Sequence, residues 1–244
     1  MRTAIALAAL CLFAAACERA PESDAAFGAR VKAWMMAHPD DLRAALENMQ
    51  TKTGAEDAKA EAAAIQQAQA ALPRLRAALE RDPRDFAANP SGKVTATEFY
   101  DYRCPHCINI ASKVVGLIRA RPDVRFVFKE MPIFGPVSEH AARAALAAKA
   151  EGKDYVGLYA AMMAARPLDD AEIDRLAAAR GVSLPAIDAP AAIARDDAQI
   201  VQTEKLAEQL SIDGTPGFIV GDTIIHGEDF DQLVAAIDKA KAKA

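Results

Sequence analysis

The sequence predicts an α/β fold preceded by a long α-helical extension, and three observations carry that expectation. A strand-like run, Val94 to Tyr102, leads directly into Cys104-Pro105-His106-Cys107 and then a helical pattern. Far downstream, Thr215-Pro216 stands at the mouth of a second apolar run, Gly217-Phe218-Ile219-Val220. Ahead of both lies a stretch rich in Ala, Glu, Gln and Lys with helical spacing of its larger apolar residues.

The elements follow in chain order. Met1-Arg2 is a minimal positive start, and Ala4 to Ala16 is an apolar run too short to span a bilayer. Ala14-Ala15-Ala16 supplies a small-residue cleavage site, so residues 1–16 read as a secretory signal peptide. Cys11 leaves with the signal. Cys17 is a candidate lipidation site, since a free thiol in an oxidising compartment invites unwanted exchange and acylation would remove it. An ordinary cleaved signal is the alternative. Residues 17–26 read as a polar tether.

Residues 27–88 read as a helical arm. Phe27, Val31, Trp34 and Met35 recur at helical spacing, and His38-Pro39-Asp40-Asp41 breaks that helix. Pro39 with two following acids suits a new first turn. Leu42, Ala45, Leu46 and Met49 continue on one face. Gly54 is expected to interrupt this second helix, and Pro73 to kink or restart it, before Leu75 and Leu79 resume the apolar face. A helix with an apolar stripe must bury it. Its bulky residues either pack on the same chain or meet other copies, and the second reading is preferred: a homo-oligomer, a trimer ahead of a dimer.

Asn89-Pro90-Ser91-Gly92 is a turn expected to open the second domain, residues 89–244. Inside it, about 136–210 reads as a helical insertion, with helices over Glu139–Lys149, Tyr155–Ala165, Ala171–Arg180 and Pro190–Leu210. Met162 and Met163 read as core rather than groove lining. His140 and His226 read as surface or capped residues. The chain is 52% hydrophobic over 244 residues, enough for one packed domain plus an appendage, and its net charge of −5 gives no basis for a nucleic-acid partner.

The chemistry sits in the Cys-X-X-Cys unit. Cys104 falls at a helix N-terminus, where unpaired N–H groups and the helix dipole favour a thiolate. Such cysteines reach a pKa of roughly 3.5–7.5. Cys107, one turn inward, can resolve a mixed disulfide. A zinc site would want four ligands, and the remaining cysteines lie at the extreme N-terminus. A purely structural disulfide closing so short a loop would stabilise little. Pro216 cannot donate to a ladder and so belongs at a strand's first residue. Its peptide bond is a candidate for the cis form. The neighbouring Thr215 backbone is then free to pair with an incoming peptide. The order strand, dithiol, helix, strand, helices, Thr-Pro, two strands, helix is that of a thioredoxin fold.

Glu98-Phe99-Tyr100-Asp101-Tyr102-Arg103-Cys104-Pro105-His106-Cys107, then Arg125-Phe126-Val127-Phe128-Lys129-Glu130-Met131-Pro132-Ile133-Phe134-Gly135, then Gly214-Thr215-Pro216-Gly217-Phe218 resemble the DsbA-like branch of the thioredoxin superfamily. Within it the chain is most similar to the suppressor-of-copper-sensitivity C (ScsC) subgroup, which carries a helical N-terminal extension and includes proteins that oligomerise through it. The resemblance implies that Cys104 is the nucleophile, Cys107 the resolving cysteine, His106 a stabiliser of the Cys104 thiolate, Pro105 part of the motif and Pro216 the cis-proline. Glu98 is a candidate to accept or relay the proton of Cys107, its alternative being a partly exposed strand residue. Glu130 is a second candidate, with Lys129 as its expected ion-pair partner.

The expectation is therefore a periplasmic thiol–disulfide exchange enzyme that needs no cofactor and acts on misfolded or disulfide-bonded proteins. Thr215 before Pro216 and the helical arm favour an isomerase or reductase, kept reduced by a membrane redox partner. A dithiol oxidase is one alternative. A Cu(I)-binding copper-tolerance protein using the Cys104 and Cys107 thiolates is another, because soft thiolates suit Cu(I).

Overall fold

The computed structural model describes residues 24–243; the signal peptide, Cys11, Cys17 and most of the tether lie outside them. The chain falls into two compact units, residues 1–59 and 60–244. Helix α1 (Asp24–Ala37) opens inside the expected tether, with Asp24 in its first turn where the dipole favours an acid. None of its residues is buried. Phe27, Trp34, Met35 and Met36 are all exposed, as are Leu46 and Met49 on the helix that follows. The break at His38 falls where expected. His38 Nδ1 lies 2.8 Å from Trp34 O, and the two rings stack at 4.6 Å.

Helix α2 (Pro39–Glu80) runs without interruption through both Gly54 and Pro73, so the interruption expected at Gly54 and a restart at Pro73 are corrected. A glycine in a helix costs only ~1 kcal/mol against alanine, and the Ala-, Glu-, Gln- and Lys-rich run that follows it favours helix. Pro73 forfeits one intrahelical hydrogen bond, at ~3 kcal/mol. That loss is offset by tertiary packing, because Leu72 and Leu79 are buried in a cluster with Phe99, Leu206, Leu210 and Ile219. The last turn of α2 is also gripped from the sheet. Lys129 Nζ donates to Ala78 O at 2.7 Å, Thr97 Oγ1 to Leu79 O at 3.4 Å, and Arg125 Nε to Glu80 O at 3.3 Å. Three carbonyls with no helical partner are thereby satisfied.

The sheet contains β1 (Phe86–Ala88), β2 (Val94–Tyr100), β3 (Val124–Glu130), β4 (Gly217–Val220) and β5 (Thr223–His226) in the order β1-β3-β2-β4-β5. β2 and β3 are parallel; the other pairings are antiparallel. Every residue of central β2 is buried, as both its faces are covered. The crossover from β2 to β3 is α3 (Pro105–Ala120). The insertion holds α4 (Pro136–Ala150), α5 (Tyr155–Ala164), α6 (Asp170–Ala178), α7 (Leu184–Asp188) and α8 (Pro190–Gln209), and α9 (Phe230–Lys241) closes the described chain. Alternate strand residues divide the core. Ala96, Tyr100, Phe126, Phe128 and Phe218 join the larger cluster, while Phe99 and Ile219 join the one under α2 and α8.

Several expectations change. β1 lies upstream of residue 89 and pairs with β3, so the sheet already includes residues the arm was expected to hold. The helix α7 was not anticipated. His140 is mostly buried, with Nε2 at 2.8 Å from Asp174 Oδ1 and Nδ1 at 3.6 Å from Asp188 Oδ1, so it joins α4 to α6 and α7. Lys129 does not pair with Glu130. Neighbours on a strand face opposite ways, and Lys129 pairs with Asp85 in a site where both side chains are almost fully buried. Met162 and Met163 are core residues, as expected. His226 is exposed. Among the described residues no helix is long and apolar enough to cross a membrane.

Candidate active site

β2 delivers the chain to the site, and Asp101 turns it. Asp101 is almost fully buried, and its carboxylate accepts from Arg103 N at 2.6 Å, Ser138 Oγ at 2.8 Å and Phe134 N at 3.0 Å. An aspartate accepting from the backbone two residues on is a turn builder. This one also binds the loop after β3 to the dithiol loop. Cys104 then caps α3 in an extended conformation, with Pro105 in the first helical turn. The Cys104 carbonyl accepts from Ile108 N at 3.0 Å.

Both cysteines are free thiols and both are buried. The Thr215–Pro216 peptide is cis. Cys104 Sγ lies 3.0 Å from Thr215 O and donates to it as a thiol. As a thiolate, Cys104 is held by the Cys107 thiol above all, opposed by its own burial, then by Thr215 and the backbone N–H groups of Cys107 and His106; its pKa falls to about 5. Thr215 Oγ1 is buried and has no partner among the described residues while Cys104 is a thiol, which leaves its hydroxyl to donate to the Cys104 thiolate. Cys107 moves the other way. Burial, reinforced by the neighbouring Cys104 and by the charge of Glu98, pushes its thiol far up. The pair is therefore split into a sulfur that is anionic at neutral pH and one that stays protonated.

The remaining expected site residues take distinct places. Glu98 is fully buried under the dithiol rather than partly exposed. Tyr159 Oη donates to its Oε1 at 3.2 Å, and its Oε2 has no partner among the described residues. Burial raises its pKa to about 8. Glu130, one strand over, accepts at Oε1 from Tyr100 at 2.5 Å and Tyr155 at 2.6 Å, and burial raises it to about 8 as well. The His106 imidazole is 64% exposed and points to Glu228, Nδ1 to Oε1 being 3.3 Å. What His106 gives the Cys104 thiolate here is its backbone N–H.

Asp101, Tyr159 and Glu228 were not anticipated. Asp101 carried a usable signal, an aspartate two residues before the amide it accepts from. Tyr159 and Glu228 reach the site from elements whose placement only the folded chain shows.

The family model described as the DSBA-like thioredoxin domain matches residues 95–238. The thiol:disulfide interchange protein DsbA of Bordetella parapertussis is 27% identical over 161 residues, covering 61% of this chain and 75% of that protein. The Na(+)/H(+) antiporter NhaA 3 of Salinispora tropica is 30% identical over 169 residues, which are 67% of this chain but 26% of the antiporter. This chain thus spans about a quarter of that relative. Among solved structures, a thioredoxin-like oxidoreductase from Silicibacter pomeroyi is 36% identical with a TM-score of 0.59, covering 69% of this chain and 99% of that one. Proteus mirabilis ScsC in a transitional conformation is 27% identical with a TM-score of 0.65, covering 91% of this chain and 100% of that one. The family match takes in the buried glutamate, both cysteines and the cis-proline on more than half of the sequence, and the chain belongs to the DSBA-like thioredoxin domain family.

Proposed function

We propose that this protein is a thiol–disulfide exchange enzyme acting on protein disulfides in the periplasm, working as a disulfide isomerase or reductase. The observation that carries the exchange reading is the placement of the dithiol, with Cys104 capping α3 and its Sγ 3.0 Å from Thr215 O beside the cis Pro216, and Cys107 buried one turn further in. The Cys104 thiolate attacks one sulfur of a client disulfide, and the other client sulfur leaves as a thiolate. Cys107 gives up its proton and displaces the first client sulfur, closing the Cys104–Cys107 disulfide and releasing a client dithiol. Glu98, whose charge acts on Cys107, is the proposed acceptor of that proton, a role open to its ionised fraction since its pKa of about 8 leaves it partly ionised near neutral pH. Alternatively the client's freed thiolate attacks a second client disulfide while Cys104 is still attached, and Cys104 leaves unchanged; that is isomerisation.

The direction is supported by Thr215 ahead of Pro216 and by the exposed apolar side chains of α1 and early α2, including Phe27, Trp34 and Met36. Covered by further copies of the chain, these would place several dithiols around one client. Likeness to ScsC over 91% of this chain includes the helical extension. A membrane partner would keep the dithiol reduced. A dithiol oxidase is the second reading, favoured by the low Cys104 pKa, since a stable thiolate leaves readily and makes a dithiol oxidising. Stoichiometric Cu(I) binding by the two sulfurs is the third.

The deciding assay is reactivation of scrambled, fully oxidised ribonuclease by the full chain and by a Trp34→Glu/Met36→Glu chain, with sedimentation run on both. Isomerase function predicts reactivation by the parent, and loss of both self-association and reactivation in the variant. Rapid oxidation of a reduced dithiol peptide without reactivation would make the protein an oxidase.

A further inference from the structure

One charged group at the mouth of the site has no part in the exchange steps. Glu228 sits on the turn between β5 and α9, against His106 on the active-site helix. That turn is anchored on both sides. Gly227, with φ of +79°, donates from its N–H to Pro216 O at 2.8 Å, and Asp229 caps α9 by accepting from Gln232 N at 2.9 Å. Glu228 is therefore held in place by the loop that also packs on the cis-proline. Lys113 is the other charged residue lining this corner, together with Asn109 and Ile110, and its Nζ stands 5.5 Å from the Phe230 ring centroid.

The His106 side chain has two candidate partners and is turned to one of them. The Cys104 sulfur, two residues back, is held by other groups, while the imidazole faces the carboxylate. The ring is mostly exposed, so rotation about its Cα–Cβ bond between staggered positions is open to it.

We propose that Glu228 is a positioning residue for the dithiol: it competes with the Cys104 sulfur for the His106 side chain and so keeps the dithiol less oxidising than the motif alone would make it. The proposal rests on Cys104 being the exchanging sulfur. Removing the carboxylate releases the imidazole to turn toward the Cys104 thiolate. A ring N–H donated to the sulfur stabilises the anion and hence the reduced dithiol. With glutathione disulfide as oxidant, the Cys104 thiolate attacks one glutathione sulfur and the other glutathione leaves as thiolate. Cys107, deprotonated, then displaces the first, giving the protein disulfide and two glutathione thiols. Glu228→Gln shifts that equilibrium back toward the protein dithiol.

Two measurements on the full chain test this: titration of the Cys104 thiolate by ultraviolet absorbance, and the equilibrium with glutathione. Both are made on the parent, Glu228→Gln, Glu228→Asp, His106→Ala and the His106→Ala/Glu228→Gln chain. Glu228→Gln is expected to move the thiolate titration to lower pH and the equilibrium about two- to fivefold toward the dithiol, the scale of partly exposed charge contacts. Glu228→Asp falls between it and the parent. In the His106→Ala background the same substitution shifts the equilibrium less than about twofold. A thiolate titration that stays put or moves to higher pH in Glu228→Gln overturns the proposal. So does an equally large shift without His106, which would leave only the direct effect of the carboxylate charge. If the parent exchanges nothing with glutathione, the exchange reading fails, while the thiolate titration still decides the role of Glu228.

Discussion

Two buried carboxyls and one buried thiolate give single residues opposite effects on stability. Glu98 and Glu130 lie on the same face of neighbouring strands, both raised by burial, and the charge of Glu98 further disfavours ionisation of Glu130. Each has a folded pKa of about 8 against 4.5 for the free side chain, so the folded chain holds protons that the unfolded chain has released. Stability from this pair is full below 4.5 and falls as pH rises toward 8. Cys104 works the other way: its pKa is depressed from 9.0 to about 5, so its contribution is full above 9.0 and is lost as pH falls through 5. Measured on a Cys104→Ser chain to remove that opposing trend, denaturation midpoints are expected to drop as pH rises from 4.5 to 8. Adding Glu98→Gln should remove roughly half of the drop. A fall of the same size in the Glu98→Gln chain would show that Glu98 is already ionised in the native state. Glu98, Cys104, Cys107 and Pro216 were legible because strand, motif and turn lie in short contiguous runs. Glu228 and Tyr159 were not, since nothing local in Gly227-Glu228-Asp229 or along α5 marks a partner over a hundred or fifty residues away.

At the scale of elements, α4, α5, α6 and α8 in the insertion were readable because each is long enough to show its period. β1, with 3 residues, and α7, with 5, are too short to show one. Pro73 misled for a different reason: local propensity opposed the helix, and packing of Leu72 and Leu79 overrode it; at Gly54 the cost of one glycine was too small to end the helix. The turn before β2 shows local chemistry and tertiary demand agreeing. Asn89 adopts φ of +50°, and its Nδ2 donates to Ile118 O at 2.8 Å and Arg121 O at 3.2 Å, closing the end of α3. Three residues on, a Cβ at Gly92 would stand 2.3 Å from Arg125 N and 2.5 Å from Val124 C. Those atoms belong to β3 where it pairs with β2, so they cannot retreat without breaking the central ladder. Gly92→Ala is expected to cost ~2–4 kcal/mol, as steric conflicts with backbone do. Ser91→Ala, beside it, should be nearly neutral. Equal denaturation midpoints for the two variants would refute the steric reading.

At the scale of the molecule, the question is where the catalytic body begins. The turn at Asn89-Pro90-Ser91-Gly92 suggests residue 89, but the compact unit starts at Ala60. The physical reason lies on the face of the sheet away from the tyrosines. There α2 covers Phe99 and Ile219 with Leu72 and Leu79, while β1 pairs along β3 and Asp85 neutralises Lys129. Gln199 on α8 also donates to Asp85 Oδ1 at 3.2 Å, so one carboxylate joins β3 and α8. A chain cut at 89 would lose the helix, the edge strand and Asp85 together. It would leave an apolar face in water and an ammonium buried without its counter-charge, and the second loss alone costs ~3–5 kcal/mol when a buried pair is broken from one side. A chain of residues 60–244 is therefore expected to denature cooperatively near the parent's midpoint and to keep the Cys104 thiolate titration near 5. A chain of residues 89–244 is expected to be unfolded or to expose dye-binding apolar surface. Asp85→Asn in the longer chain isolates the ion pair, and it should stay folded with a midpoint below that of residues 60–244. If residues 89–244 fold with the parent's stability, the last turns of α2 are an attachment to the body rather than part of its core. The grip of Lys129, Thr97 and Arg125 on the carbonyls of Ala78, Leu79 and Glu80 would then have to be formed only after the sheet is complete.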